Sequence, residues 1–139
     1  MPRITPTEAQ IAELLAADLS LPVVMINLLK YRDQAEYPDG VQADPCSGRE
    51  AYARYGEIAS QAVQQAGGQI LWMARADHTL IGPEDETWDD VVLVHYPARE
   101  AFLKMIEQPA YLAAVVHREA GLADTRLIAT SPQMGNLGS

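Results

Sequence analysis

Residues Trp88 to Phe102 run from a strand directly into a helix, and no other stretch constrains the fold as strongly. After Asp89-Asp90 the chain reads Val-Val-Leu-Val-His-Tyr, ending at Tyr96, a β-branched and aromatic run that suits a packed, pleated surface. Pro97 opens the following helix, and Gln108-Pro109 interrupts it, because the residue before a proline is pushed out of the α region. A second helical segment carries Tyr111, Leu112, Val115 and Val116 at helical spacing and ends near Gly121. Asp124 to Thr130 then reads as a closing strand.

The first half of the chain repeats this grammar. Val23 to Leu29 is a continuous apolar run of strand length with Asn27 its one polar member, as expected of a central strand covered on both faces. Arg32 to Cys46 is polar and holds Pro38-Asp39-Gly40 and Asp44-Pro45, which predicts a long loop that acts as a lid or is poorly ordered. Ser47-Gly-Arg-Glu50 is a capping box opening a helix with Tyr52, Tyr55, Ile58, Ala59 and Ala62 on one face, stopped by Gly67-Gly68. Gln69 to Arg75 reads as a strand with Ile70, Trp72 and Ala74 opposing Leu71, Met73 and Arg75. His78 to Thr87, with Gly82-Pro83 and an acidic run, predicts a hairpin-like connection with a solvated tip.

Ahead of this core, Thr5-Pro-Thr-Glu8 reads as a capping box with Pro6 at the first helical position, and Ile11, Leu14, Leu15 and Leu19 predict an amphipathic helix from Pro6 to about Asp18. Residues 1–139 are thus expected to form a single domain: an N-terminal helix over 1–20, a core over 22–130 and a frayed tail over 131–139. The core order β-α-β-β-α-β is the split βαβ, or ferredoxin-like, α+β motif: a four-stranded antiparallel sheet with helices on one face. The other face is then bare and apolar. It presents either Val23, Met25 and Leu29 or Val24, Ile26 and Leu28, so the expected partner is a second copy docking through that open face.

Composition removes several classes of function. A net charge of −9 argues against a nucleic-acid partner, which demands clustered Lys and Arg, and disfavours anionic membrane surfaces. No apolar run approaches the ~20 residues of a membrane span, and no apolar signal core follows Met1. A lone Cys46 cannot form an intramolecular disulfide, so a cytoplasmic location is the expectation for this acidic chain. No metal ligand pattern such as His-Glu-x-x-His occurs, Asp89 and Asp90 fall on opposite faces of a strand, and neither a nucleophile elbow nor a phosphate loop is present.

The remaining polar residues each admit two readings. Asn27 is either a buried amide satisfied by a neighbouring backbone or an anchor that orients a ligand. His95 and Tyr96 lie on opposite faces of one strand, so one faces the helices and the other the open face. His95 is a candidate general base or a structural hydrogen-bonding residue. His117 and Arg118 either neutralise a helix C-terminus, or serve as base and as a planar fork for a carboxylate or enolate. Tyr52 and Tyr55 share a helix face and read first as packing; Tyr31 leaves the first strand where it could line a cavity mouth.

Val24-Met-Ile-Asn-Leu28, Ala66-Gly-Gly-Gln-Ile-Leu71, Val91-Val-Leu-Val-His-Tyr-Pro97 and Glu107-Gln-Pro-Ala-Tyr111 resemble a family of small bacterial proteins labelled as a domain of unknown function, within the dimeric α/β-barrel superfamily. The resemblance spans roughly Pro22 to Thr130, omitting the first helix and the 32–46 loop. It implies a homodimer and a kinship with cofactor-free monooxygenases, lactone isomerases, haem-degrading enzymes and chlorite dismutases. Haem-degrading members carry an asparagine on the first strand, matched by Asn27, a tryptophan where this chain has Tyr96, and a helix histidine where it has Val115. That departure argues against haem, and no cofactor is expected.

These readings converge on a small-molecule-binding homodimer with a cavity between sheet and helices, resembling a cofactor-free monooxygenase or isomerase. His95, His117 and Tyr96 are the candidate catalytic groups, and Asn27, Tyr31, Tyr55 and Arg118 the candidate substrate-binding groups. The alternative is a non-catalytic ligand-binding or interaction domain whose sheet serves dimerisation.

Overall fold

The computed structural model describes residues 4–134, so the tail expected to fray lies, beyond residue 134, outside the described residues. Thr7, not Thr5, caps the first helix, α1 (Glu8–Ala16): its hydroxyl accepts from the Gln10 amide while the Gln10 side chain returns a bond to the Thr7 amide. Gln10 completes this capping box as well as Glu8 would have completed one at Thr5, and the choice moves the helix start two residues along. No residue of α1 is buried, and Ile11 and Leu15 lie exposed on it.

The core follows as β1 (Val23–Tyr31), α2 (Gly48–Gln65), β2 (Gln69–Arg75), β3 (Asp90–Tyr96), α3 (Arg99–Ile106), α4 (Pro109–Gly121) and β4 (Leu122–Thr130). The strands form one antiparallel sheet in the order β2-β3-β1-β4, the ferredoxin-like arrangement, with apolar β1 at the centre as its composition demands. Ser47 and Glu50 cap α2 reciprocally as the spacing predicts. Gly67 ends that helix at φ +81°, a left-handed conformation that glycine adopts without steric cost. Gln108 takes an extended conformation (ψ 137°) before Pro109, separating α3 from α4.

Register assigns the faces. Val23, Met25 and Leu29 of β1, and Val92, Val94 and Tyr96 of β3, are buried beneath the helices with Met105, Leu122 and Val63. Val24, Ile26 and Leu28, half-buried, point to the open face with their register neighbours Val91, Leu93 and His95. A β-bulge between Ile70 and Trp72 breaks the alternation expected in β2: Ile70 pairs with Val94 on the helix side, whereas Trp72 pairs with Leu93 on the open side and is 61% exposed. The β2–β3 connection carries Leu80 and Ile81 almost fully exposed at its tip, so that tip is apolar as well as acidic.

The 32–46 loop is pinned across the ends of α2 and α4. Arg32 N–H donates to Gly121 O, Glu36 N–H to Ala120 O, Ala35 N–H to Cys46 O and Gly48 N–H to Arg32 O. The helices meet closely here because both contacting positions are glycine. A Cβ on Gly48 would sit 2.6 Å from the Gly121 carbonyl oxygen, well inside van der Waals contact.

Candidate functional site

The chain has six tyrosines against a single phenylalanine, and five of those tyrosines (31, 52, 55, 96 and 111) gather between the sheet and the α2–α4 pair. Tyr31 ends β1 on its helix-facing side; Tyr52 and Tyr55, three apart, share one face of α2. Tyr111 lies in the first turn of α4, which the glycine contact draws against α2. The rings run in sequence: Tyr31 to Tyr52 at 5.5 Å between centroids, Tyr52 to Tyr55 at 5.1 Å and Tyr55 to Tyr111 at 5.8 Å. Such tilted and edge-on pairs set the positive ring edge against the negative face. Tyr96, at the end of β3, stacks edge-on to Phe102 at 5.3 Å.

One end of the row is ionic. The Tyr31 hydroxyl donates to Asp90 Oδ2 (2.7 Å), and Arg49 reaches the same oxygen (2.8 Å) while its guanidinium stands 4.7 Å from the centre of the Tyr31 ring. The Tyr55 and Tyr111 hydroxyls bond to each other at 2.9 Å. Burial pushes the Tyr52 phenol up to about 12, partly opposed by the positive charge of Arg118. Burial also raises Tyr31, helped by its bond to Asp90, and raises Tyr55 and Tyr96, helped by neighbouring tyrosines. The phenols of Tyr31, Tyr52, Tyr55 and Tyr96 are therefore neutral across physiological pH and poor as bases; Tyr31 gives its proton to Asp90 and Tyr55 is bonded to Tyr111, which leaves Tyr52 and Tyr96 as donors without a bond to any described residue.

The candidate residues divide between two surfaces and a loop. Tyr31, Tyr55 and Tyr96 lie in the cluster, and Arg118 acts electrostatically on Tyr52 and Tyr55 while donating to the Ile4 carbonyl at 2.7 Å. Asn27 lies on the same side of the sheet, its amide donating to Val92 O at 3.2 Å. His95 is on the open face, in register with Val24 and Gln69, and is separated from Tyr96 by the sheet itself. His117 faces the loop: its Nδ1 lies 2.7 Å from the Tyr37 hydroxyl, to which Arg54 also donates at 3.1 Å. Neither histidine joins the tyrosine cluster.

Sequence reasoning assigned Tyr52 to packing and passed over Tyr111, Arg49 and the contribution of Asp90. The available signal was the six-to-one excess of tyrosine over phenylalanine, since a core needing only apolar rings has no use for hydroxyls. The space between sheet and helices, where a cavity is expected, is lined by these rings. An open cleft of about 390 Å³ lies instead where α2 ends and β2 begins, beside Gln64 and Gln69, and another of about 520 Å³ lies against residues 41–44. Among the described residues no group of three or more His, Cys, Asp or Glu could hold a metal ion, and no helix is long and apolar enough to cross a membrane.

The family described as "Domain of unknown function (DUF1330)" matches residues 45–131, from the cap of α2 to the end of β4. The chain belongs to this family. DUF1330 thus takes in most of the ferredoxin-like core, including Tyr52, Tyr55, Tyr96, Tyr111 and Arg118, while β1 and the N-terminal helix precede the match. The RPA0582 protein of Rhodopseudomonas palustris, of unknown function, is 38% identical and superposes with a TM-score of 0.88 over 97% of this chain and all of its own. Its methylated form is similar at 40% identity and a TM-score of 0.88, over 96% of each chain. A DABB family protein with a ferredoxin-like fold from Mesorhizobium loti shares the fold at 10% identity, with a TM-score of 0.52 over 81% of this chain and 98% of its own. No curated protein matches this DUF1330 chain.

Proposed function

We propose that this protein is a homodimer that binds a small molecule beneath its helices, at the tyrosine cluster, with the Tyr52 and Tyr96 hydroxyls as its donors. One observation carries the reading: the hydroxyls of Tyr96, which is 3% exposed, and of half-buried Tyr52 hydrogen-bond to no described residue. Neither oxygen is sealed from solvent, so each hydroxyl is open to an arriving acceptor. A ligand oxygen supplies one for both.

Neutral phenols suit particular chemistry. They donate to a carbonyl and gain strength as negative charge develops on it, which is what a cofactor-free isomerase or monooxygenase asks of its site. Proton abstraction needs an acceptor as well, and the carboxylate at the cluster, Asp90, is engaged by Tyr31 and Arg49. Binding and polarisation of an oxygen-bearing compound therefore come first in this reading, with Tyr52 and Tyr96 as donors and Asn27, Tyr31 and Tyr55 as supporting groups. His95 lies on the opposite face of the sheet and the His117 ring is engaged by Tyr37, so neither is offered as its base.

The open sheet face completes the reading as the dimer interface. Val24, Ile26, Leu28, Val91, Leu93, Trp72 and Ile128 form an apolar surface that a second copy, docked face to face, buries. The free Cys46 fits a reducing, cytoplasmic setting. The rival reading, a non-catalytic interaction domain, draws on the tight filling of the sheet–helix space by tyrosine rings. Tyrosine ring-labelled NMR of the full chain, titrated with carbonyl- and carboxyl-bearing fragments, separates the two. Binding moves the Tyr52 and Tyr96 signals and leaves Tyr37 in place; if no cluster tyrosine moves, the interaction domain is the better reading.

A further inference from the structure

We infer that residues 37–45 form a strap against α2 and α4, fastened at neutral pH by a hydrogen bond from Tyr37 to His117 and released when His117 takes up a proton. The device stands apart from the tyrosine cluster, which neither Tyr37 nor His117 joins.

The backbone pins the loop only where it enters and leaves. Arg32 and Glu36 bond to Gly121 O and Ala120 O, Ala35 bonds across the loop to Cys46 O, and Gly48 bonds back to Arg32 O. Between these points the strap makes one backbone hydrogen bond among the described residues, from Val41 N–H to Pro38 O, and that bond stays inside it. What ties the strap to the helices is a junction of side chains. The Tyr37 hydroxyl lies 2.7 Å from Nδ1 of His117 on α4, and their rings meet edge-on at 5.5 Å between centroids. From α2, Arg54 donates to the Tyr37 oxygen at 3.1 Å and to the Asp44 carbonyl at 3.4 Å.

Counting protons fixes the direction of each bond. A guanidinium has no acceptor, so the Tyr37 oxygen must accept from Arg54. The Tyr37 proton then goes to the one other partner of that hydroxyl, and Nδ1 of His117 must carry a lone pair to receive it. His117 is therefore neutral in the fastened strap, with its proton on Nε2. A second proton can add only at Nδ1. It turns the acceptor into a donor, aims two donors at one phenol oxygen, and leaves the Tyr37 proton without a described acceptor. Two positive charges then flank the Tyr37 hydroxyl. Histidine is the side chain that makes this change within the physiological range.

The surrounding charges are few. Among the described residues, Tyr37 from the loop and Arg54 from α2 face the His117 ring, while Asp44 and Cys46 act electrostatically on Arg54. On α4 itself Arg118 turns to the Ile4 carbonyl and Glu119 is exposed; Glu36, at the root of the strap, pairs with Arg32 at 3.1 Å. Only the Tyr37 bond to His117 changes from acceptor to donor as the ring charges.

Backbone ¹⁵N relaxation on the full chain tests this, between about pH 8 and about pH 5, with the His117 and Tyr37 ring signals followed alongside. Order parameters for residues 39–44 are expected near about 0.85 at the upper end and below about 0.6 at the lower, falling in step with the His117 ring signals. His117→Asn keeps an acceptor oxygen at the matching place along the side chain and has no proton to gain, so its strap should stay ordered throughout. Tyr37→Phe should leave the strap loose at both ends of the range. A wild-type strap that is equally ordered at both, or already loose near pH 8, overturns the proposal. Loosening of His117→Asn to the wild-type extent passes the release to another group, and an ordered strap in Tyr37→Phe places the fastening elsewhere; either result overturns it too. Should a variant fail to fold, the wild-type titration still decides, because loosening out of step with the His117 ring is fatal to the idea.

Discussion

The two faces of the sheet carry opposite imbalances. Beneath the helices, where Leu29 is 1% exposed and Tyr96 3%, tyrosine hydroxyls are gathered among apolar side chains. On the open face, where Trp72 is 61% exposed and Ile128 48%, apolar side chains have been left in it. The apolar sheet wants cover, whereas the hydroxyls of Tyr52 and Tyr96 bond to no described residue and stay open to an acceptor. The difference teaches that the two faces suit different partners, in our proposal a small acceptor-bearing molecule on one side and a second copy of the chain on the other.

The largest test breaks the open face. Ile26→Asp puts a carboxylate at the centre of the proposed interface, facing Leu93 and Ile128 across the central strand. Multi-angle light scattering at micromolar concentration should show a dimer's mass fall to a monomer's, with the fold retained by circular dichroism. A wild-type monomer, or an unchanged dimer in the variant, removes this face as the interface. On the other side, Gly48→Ala should lower stability by about 3 kcal/mol, the upper end for overpacking, because the new methyl meets the backbone of Gly121 and Arg32. Urea titration measures it, and a loss below about 1 kcal/mol means that α2 and α4 can separate without penalty.

Much of this contrast was legible before any coordinates. Hydrophobic periodicity and turn residues define the split βαβ order, and strict alternation separates His95 from Tyr96. Local rules failed where two local solutions compete or where strands slip: Thr7 displaces Thr5 as a cap, and the bulge after Ile70 sends Trp72 to the open face. The cluster was harder to read. Tyr52 and Tyr55 share a helix face by spacing alone, but Tyr111 joins them only because glycines at 48 and 121 let two helices touch. Arg49 and Asp90 meet across 41 residues of chain, a distance over which no local pattern speaks. Arg118 was visible as a candidate, whereas its neutral partner Ile4 was not.

Alkaline titration sharpens the helix side next. Tyr52 is held neutral to about 12 against an ordinary 10. Between those values the unfolded chain ionises this group and the folded chain does not, so stability present below pH 10 falls as pH rises. The loss is about 1.4 kcal/mol per unit, or about 2–3 kcal/mol in all. Chemical denaturation from pH 9 to 12 should show this decline, and Tyr52→Phe should remove that share of it. A slope unchanged by the variant means that Tyr52 is solvated. Tyr31→Phe is smaller: it deletes one bond to a charged partner that keeps Arg49, a cost of about 1–2 kcal/mol. The same loss in an Asp90→Asn background would show that the hydroxyl does not depend on that carboxylate.

The smallest effect is the most discriminating, because it compares adjacent residues. His95→Gln changes a half-buried side chain on the open face, and Tyr96→Phe changes one atom on the buried face. If the sheet insulates the two partners from each other, His95→Gln shifts monomer stability by less than about 0.5 kcal/mol and leaves the Tyr52 ring signals where they were. Its influence is confined to the concentration dependence of the dimer. Tyr96→Phe does the reverse: it leaves dimerisation alone, moves the Tyr52 signals and weakens binding of any ligand that takes the Tyr96 hydroxyl. Cross-talk in either direction would mean that pairing of the sheets and occupancy of the tyrosine site are coupled through β3. The protein would then sense its ligand through assembly, and the two faces would have to be treated as one site.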